Sequence, residues 1–121
     1  MTGTHLHLDG YKVTRNIKGQ DGYNMVKKLL TDIPDLIKMT KMMDEPYIVE
    51  VKEGNGEDGF SGFMLIKESH INIHTFSDQG IYWADVFSCK NFNVGAVVDY
   101  FKRVYGGKLY HSVILRGNSH F

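Results

Sequence analysis

The chain has 121 residues, of which 42% are hydrophobic, enough for one hydrophobic core and too few for two. Fourteen Lys and Arg residues balance fourteen Asp and Glu residues, so no overall charge favours nucleic acid, an anionic membrane or a polyacidic substrate. We therefore expect a single domain, residues 1–121, whose partner is a small molecule or another subunit.

Cysteine content and hydropathy bear on the cellular compartment. A single cysteine cannot form an internal disulfide, and the first residues lack the basic start and apolar run of a secretory signal. The longest apolar runs, such as Phe63–Ile66, have the length of a strand, far below the roughly 20 residues of a membrane span. We expect a cytoplasmic protein with no membrane segment.

The first half of the chain predicts strands around one helix. Thr4–Asp9 alternates between apolar and polar residues, as a half-buried strand does. Asp21 is expected to cap a helix that Pro34 ends. Strands are expected at Ile37–Met43, where the helix could instead continue, and at Tyr47–Val51.

The second half is richer in strands. The acidic, Gly-rich run at 53–59 is too polar for a core and predicts a loop. Three apolar strands are expected after it, at Phe60–Lys67, Ile71–Phe76 and Ile81–Ser88. Asn93 should cap a second helix that Gly106-Gly107 ends, and a last strand should run from Leu109 to Leu115.

This order of elements predicts the fold class. Strands outnumber helices and mostly follow one another directly, which favours antiparallel pairing. Each helix carries one apolar stripe, so each must cover the sheet with one side. We predict a two-layer α+β domain, with a largely antiparallel sheet and two helices packed on one face.

The tract Glu68-Ser69-His70 is an unusual polar interruption between two apolar strands. Polar groups at a strand end need partners or solvent. Ser69 and His74 are five residues apart and would face opposite ways on one continuous strand, so their cooperation would require a bend at 68–70. A serine at a constrained turn, with histidines near enough to move its proton, can attack the preceding peptide carbonyl. The chain would then cleave itself.

A family resemblance rests on this tract. Residues 68–75 read Glu-Ser-His-Ile-Asn-Ile-His-Thr. They resemble the Glu-Ser-His-x-x-x-His-Thr motif of the prokaryotic S-adenosylmethionine decarboxylase family, whose proenzyme is cut between Glu and Ser. Further matches follow the family order along nearly the whole chain: Gly3-x-His5, Ser61-Gly62, Asp85-Val86-Phe87-Ser88-Cys89 and Arg116-Gly117.

The resemblance implies a cofactor made from the chain itself. Ser69 would attack the Glu68 carbonyl to give an ester, and β-elimination would leave a pyruvoyl group at residue 69. The products would be a β chain, 1–68, and an α chain, 69–121. The pyruvoyl would form a Schiff base with an amino-acid-type substrate and accept electrons on decarboxylation, so no metal is needed.

The same resemblance assigns further residues and a partner. His74 and Ser61 would assist processing, and Cys89 would return a proton to the substrate carbon after carbon dioxide leaves. The processed αβ units would pair as a homodimer with both active sites near the interface. The product of decarboxylation would be the aminopropyl donor of spermidine biosynthesis.

Two segments depart from the family pattern and concern the substrate. Where the family has Phe-x-Pro, whose ring helps to hold adenine, residues 54–59 read Gly-Asn-Gly-Glu-Asp-Gly. Where it has Thr-Trp-Pro-Glu, this chain has Thr75-Phe76-Ser77-Asp78, so Phe76 and Asp78 are the candidate substrate-binding residues. L-ornithine and L-arginine are therefore alternative substrates, since relatives of the family decarboxylate them. An acidic pocket formed by Glu57, Asp58 or Asp78 would suit their cationic side chains. A catalytically silent regulatory homologue is a further alternative.

Structural interpretations compete with these functional ones. Outside the motif, Ser69 would be an ordinary turn residue and Cys89 a small buried hydrophobe. Several histidines could form a zinc site, but their spacings match no closed structural zinc pattern. The histidines in question are His5, His7, His70, His74 and His111. We therefore expect no metal.

Overall fold

A computed structural model describes residues 2–117, which form seven strands and two helices. In chain order these are β1 (Thr2–Tyr11), α1 (Gly19–Leu36), β2 (Thr40–Lys41), β3 (Tyr47–Val51), β4 (Gly59–Lys67), β5 (Ser69–Phe76), β6 (Ile81–Ser88), α2 (Val94–Tyr105) and β7 (Lys108–Gly117). Neither helix in this part of the chain is long and apolar enough to cross a bilayer.

The seven strands form one sheet in which each described pairing is antiparallel. The order is β2-β4-β5-β6-β1-β7, and β3 pairs with the other half of β4 beside β2. Strand β1 therefore lies between β6 and β7, and the first and last of the described strands pair with each other. The predicted α+β class and antiparallel sheet are confirmed.

Both helices cover one face of this sheet. Alternation along β1 buries Leu6 and Leu8 completely, while His5 and His7 point to the opposite face. Burying a leucine or isoleucine contributes roughly 1.5–3 kcal/mol, so this buried face contributes strongly to stability. The core between sheet and helices includes Val26, Leu29, Leu30, Ile33, Met64, Ile71, Ile73, Tyr82, Val97 and Phe101.

The opposite face, here called the helix-free face, carries a mixture of polar and large apolar side chains. Strand register places on it several apolar residues that are exposed: Tyr47, Val49, Leu65, Trp83, Tyr110 and Ile114. Trp83, in the middle of the sheet, is 53% exposed. Monomeric proteins seldom expose so many large apolar groups on one face, and such faces commonly serve as interaction surfaces.

The helix boundaries differ in part from the prediction. Helix α1 begins at Gly19 with Lys18 as its N-cap, so Asp21 lies in the first turn instead of capping it. Pro34 lies inside the helix, which continues to Leu36, because a proline in the last turn removes only one hydrogen bond and its buried ring packs on the core. Helix α2 agrees: Asn93 Oδ1 accepts a bond from the Ala96 N–H at 3.0 Å, and the helix ends at Tyr105.

Two strand predictions also change. The segment Ile37–Met43 forms only the two-residue strand β2, and Ile37 and Met39 are buried in the connection from α1. The apolar residues of this segment are there because they pack in the core, and they do not form a longer strand. Strand β5 begins at Ser69 instead of Ile71, so Glu68 alone turns the chain between β4 and β5.

Candidate active site

The Ser69 hydroxyl lies against the peptide bond that precedes it. Ser69 is the first residue of β5 and pairs with Ile66 on one side and Ser88 on the other. Its Oγ donates to the carbonyl oxygen of Glu68 and accepts a hydrogen bond from the Cys89 N–H at 3.1 Å. Attack of Oγ on the Glu68 carbonyl carbon would close a five-membered ring. The local geometry therefore suits an attack by the chain on itself.

Cys89 lies beside Ser69 because β6 ends at Ser88, directly opposite Ser69. Its thiol is free and half-buried. Two cavities of about 340 and 350 Å³ border Cys89. The first is lined by Lys38, Met39, Thr40, Lys67, Glu68 and Lys90, and the second by Thr2, Gly3, Phe87, Arg116 and Gly117. A small molecule next to Cys89 would therefore also be close to residue 69.

Ser61 and His74 form a second pair. They lie directly opposite each other on β4 and β5, and a hydrogen bond of 2.8 Å joins Ser61 Oγ to His74 Nδ1. Both side chains lie on the helix-free face. The motif spacing identified both residues, but only the strand register brings them into contact.

The two pairs do not meet within one chain. Strand β5 is continuous from Ser69 to Phe76, so the bend needed to bring Ser69 and His74 together is absent. At the usual rise per strand residue, the five-residue separation is roughly 16 Å. Ser69 also has the alternation of the buried Ile71, opposite to that of His74. The expectation of a bend at 68–70 that unites them is wrong for the single chain.

The candidate substrate residues lie at the His74 end of the sheet. Phe76, the last residue of β5, packs edge-to-face on Trp83 with ring centroids 4.8 Å apart. Asp78 forms an ion pair with Lys18 at 3.2 Å and helps to line a cavity of about 440 Å³. Asp58 lines the same cavity, but its Oδ1 accepts bonds from two loop amides at 2.7 Å each. Asp58 therefore shapes the loop.

One group of side chains was not identified as a cluster from the sequence. Asp85 Oδ2 accepts hydrogen bonds from His5 Nε2 at 2.8 Å and from His70 Nε2 at 3.1 Å. The three residues come from β1, β5 and β6, which are neighbours in the sheet. Alternation could have placed each of them on the polar face, but only the strand order reveals their contact. His74 and His111, which the zinc hypothesis would have included, are not in this group.

The fold and this site together define a class of protein: a two-layer α+β domain with a serine placed to attack its own preceding peptide bond. A family profile described as "S-adenosylmethionine decarboxylase" matches residues 4–117. The chain belongs to this family.

Relatives and a solved structure agree with this assignment. A Clostridium botulinum (strain Hall) protein is 33% identical over 98 residues, covering 80% of this chain and 84% of its own. An Archaeoglobus fulgidus protein is 26% identical over 89 residues, covering 74% and 72%. Both are named S-adenosylmethionine decarboxylase proenzyme. The crystal structure of the adenosylmethionine decarboxylase from Aquifex aeolicus VF5 superposes with a TM-score of 0.72 at 21% identity, covering 95% of this chain and 90% of that one, so the fold is shared.

Proposed function

We propose that this chain is a proenzyme that cleaves itself between Glu68 and Ser69 and then decarboxylates S-adenosylmethionine. The observation that carries the proposal is the Ser69 Oγ placed against the Glu68 carbonyl, within a chain of the S-adenosylmethionine decarboxylase family. The products are the β chain, 1–68, and the α chain, 69–121.

The processing chemistry follows from the contacts of Ser69. Oγ loses its proton to a base and attacks the Glu68 carbonyl carbon, and the peptide C–N bond then breaks to leave an ester. The Cys89 N–H, 3.1 Å from Oγ, stabilises negative charge on this oxygen. Loss of the α-proton of residue 69 expels Glu68 as a carboxylate, and water converts the remaining dehydroalanine to a pyruvoyl group with release of ammonia.

Residue 69 and its surroundings fit a pyruvoyl group. The two cavities beside Cys89 leave space for a substrate next to the new cofactor. A pyruvoyl group there supplies a ketone that binds the substrate amine and withdraws electrons as carbon dioxide leaves. The Cys89 thiol holds the proton that replaces the lost carboxyl group. Its position beside residue 69 supports this role.

Within one chain the Ser61–His74 pair is too far from Ser69 to act on it, and a second copy of the chain would provide such a pair. We infer a homodimer in which the helix-free faces of two sheets pack together, since this face exposes the large apolar side chains. A two-fold axis across the strands would bring the Ser61–His74 end of one sheet near the β4–β5 turn of the other, and Ser69, as the first residue of β5, would be reached around the end of the strand. The base for processing is then His74 of the partner subunit. Phe76 and Asp78 belong to that same end, so substrate binding would also involve both copies.

S-adenosylmethionine is preferred over ornithine or arginine as the substrate. Two of the acids that could hold a cationic side chain are already engaged, because Asp78 pairs with Lys18 and Asp58 accepts hydrogen bonds from two loop amides. Both relatives described above carry names that specify S-adenosylmethionine. The decarboxylated product would supply aminopropyl groups for spermidine biosynthesis, in the cytoplasm, where the free Cys89 thiol stays reduced.

Two measurements test the proposal. Intact-mass spectrometry of the purified protein should show two fragments divided at 68/69, and Ser69→Ala should give only the full-length chain. The processed protein should then release carbon dioxide from S-adenosylmethionine when this substrate, ornithine and arginine are offered separately. Full-length wild-type protein under all conditions would refute self-processing, and release from ornithine or arginine alone would refute the substrate.

A further inference from the structure

We propose that His5, His70 and Asp85 form a binding site for a divalent transition-metal ion such as Zn²⁺. The site lies on the helix-free face and takes one ligand from each of three adjacent strands. Neither the self-cleavage nor the decarboxylation described above uses such an ion. Ion binding therefore stands independently of the proposed function.

The ligand atoms already converge. His5 Nε2 and His70 Nε2 lie 2.8 and 3.1 Å from the same oxygen of Asp85, and all three atoms lie within 4.8 Å of one another. Around a tetrahedral zinc ion with bonds of about 2.0–2.1 Å, neighbouring ligand atoms are about 3.3 Å apart. The two His–Asp distances need to lengthen by only a few tenths of an ångström to reach this spacing, and the ion would replace the protons of these hydrogen bonds.

The backbone holds these side chains in place. Phe87 lies opposite His5 on one side and His70 on the other, and its ring packs against both imidazoles at centroid distances of 5.4 and 5.6 Å. Asp85 lies two residues earlier on the same face of β6. Ligands carried by paired strands and fixed by packing form a more precise site than ligands on loops.

The donor set and its exposure suit a metal. Two imidazoles and one carboxylate are ligands that zinc and other first-row divalent ions accept, with a remaining position for water. The side chains of His5, His70 and Asp85 are 18%, 33% and 23% exposed, so an ion can enter from solvent. A further imidazole stands beside them: the His7 ring is 4.3 Å from that of His5, and its buried Nε2 has no hydrogen-bond partner among residues 2–117.

After cleavage, a bound ion would link the two resulting chains. His5 belongs to segment 1–68, whereas His70 and Asp85 belong to segment 69–121. A bound ion would therefore join the two chains and fix the residue that follows the cofactor position. Because binding is confined to the folded state, the ion should also raise the melting temperature of the protein.

The test uses the full chain carrying Ser69→Ala, so that binding is measured without cleavage, and the wild-type protein beside it. After removal of metal by a chelator, Zn²⁺ is titrated by calorimetry and Co²⁺ by visible absorption. We expect one ion per chain, tetrahedral cobalt bands and a raised melting temperature. His5→Ala and Asp85→Asn should each weaken binding by at least about tenfold. His111→Ala is the matched control and should bind as the parent does, since its register with Leu8 places it on the other face.

Binding that His5→Ala and Asp85→Asn leave unchanged would overturn the proposal, as would no binding by a protein that still melts cooperatively. Asp85→Asn keeps the shape of the side chain, so a loss of folding in His5→Ala does not obscure the result. The cluster would then be a hydrogen-bonded His–Asp–His group only. Failure of the proposed function is recognised separately, because it appears as an uncut wild-type chain or absent carbon dioxide release, whatever the outcome of the zinc titration.

Discussion

Ser61 Oγ and His74 Nδ1 lie 2.8 Å apart across β4 and β5, while Ser69, on the same strand as His74, is roughly 16 Å from it along the chain. A hydrogen-bonded Ser–His pair can move a proton, but from this position it cannot reach the hydroxyl of its own Ser69. This separation underlies the inferred dimer, and it makes a direct test possible.

Complementation between two inactive chains should restore cleavage. Ser69→Ala and His74→Ala should each remain uncut, or nearly so, when produced alone. When the two are co-expressed with different tags, the mixed dimer has one intact Ser69 facing one intact His74. Intact-mass spectrometry should then find the His74→Ala chain cut and the Ser69→Ala chain whole. If neither chain is cut in demonstrated mixed dimers, His74 does not act across the interface.

Replacing Cys89 should separate processing from turnover. Cys89→Ala keeps the backbone N–H that bonds to Ser69 Oγ, so cleavage should proceed nearly as in the parent chain. Decarboxylation should fall by about 10²–10⁴-fold, since a positioned proton donor contributes about that much. Carbon dioxide release and the lifetime of the active protein measure the effect, with Cys89→Ser as the control of similar size. Unchanged turnover and lifetime in Cys89→Ala would exclude the thiol as the proton donor.

A carboxylate between the helices should make stability depend on pH. Asp32 on α1 accepts bonds from Tyr100 Oη on α2 at 2.8 Å and from Lys28 Nζ at 2.7 Å. Burial alone would raise the pKa of Asp32, but the bonds from Lys28 and Tyr100 outweigh it and hold the pKa below its ordinary value. Such a group stabilises the fold above its unfolded-state pKa, and the stabilisation is lost as the pH falls through the folded-state pKa.

Tyr100→Phe removes one of these bonds. The free energy of unfolding should fall by about 1 kcal/mol at neutral pH, and the difference from the parent chain should nearly vanish once Asp32 is protonated. Urea unfolding at a series of pH values measures this difference in the free energy of unfolding. A difference that stays constant down to strongly acidic pH would mean that Tyr100 contributes through packing and not through the charge of Asp32.

Gly10 should tolerate no side chain. A Cβ at Gly10 would lie 1.9 Å from the ring of Tyr82, which is completely buried and packs against Tyr105. Gly10→Ala should therefore lower the free energy of unfolding by about 1–3 kcal/mol, as overpacked cores do. Gly95→Ala in α2 is the control. A Cβ at Gly95 would lie 3.4 Å from Asn93 Oδ1, an ordinary contact, so this variant should be neutral or stabilising by up to about 1 kcal/mol. Equal stability of both variants would contradict this account of the core.

Local patterns predicted most of the fold, and long-range pairing decided the rest. Alternation along Thr4–Asp9 correctly predicted a strand with one buried face, because that pattern depends only on neighbouring residues. The apolar pattern predicted a break at 68–70, but it could not reveal that only Glu68 turns the chain and that β5 starts at Ser69 and carries His74 away. The contact of His5 with Asp85 joins residues 80 positions apart, and only the order β6-β1 creates it.

Asp78 should affect substrate affinity without affecting cleavage. It lies at the His74 end of the sheet and lines the largest cavity described above, paired with Lys18 at 3.2 Å. Asp78→Ala removes the carboxylate that accepts a hydrogen bond from a ribose hydroxyl, which should raise KM for S-adenosylmethionine by about tenfold with normal self-cleavage. Asp44→Ala, an exposed acid elsewhere, changes the net charge equally and should leave KM unchanged. If both variants raise KM alike, or neither does, the carboxylate of Asp78 does not hold the substrate.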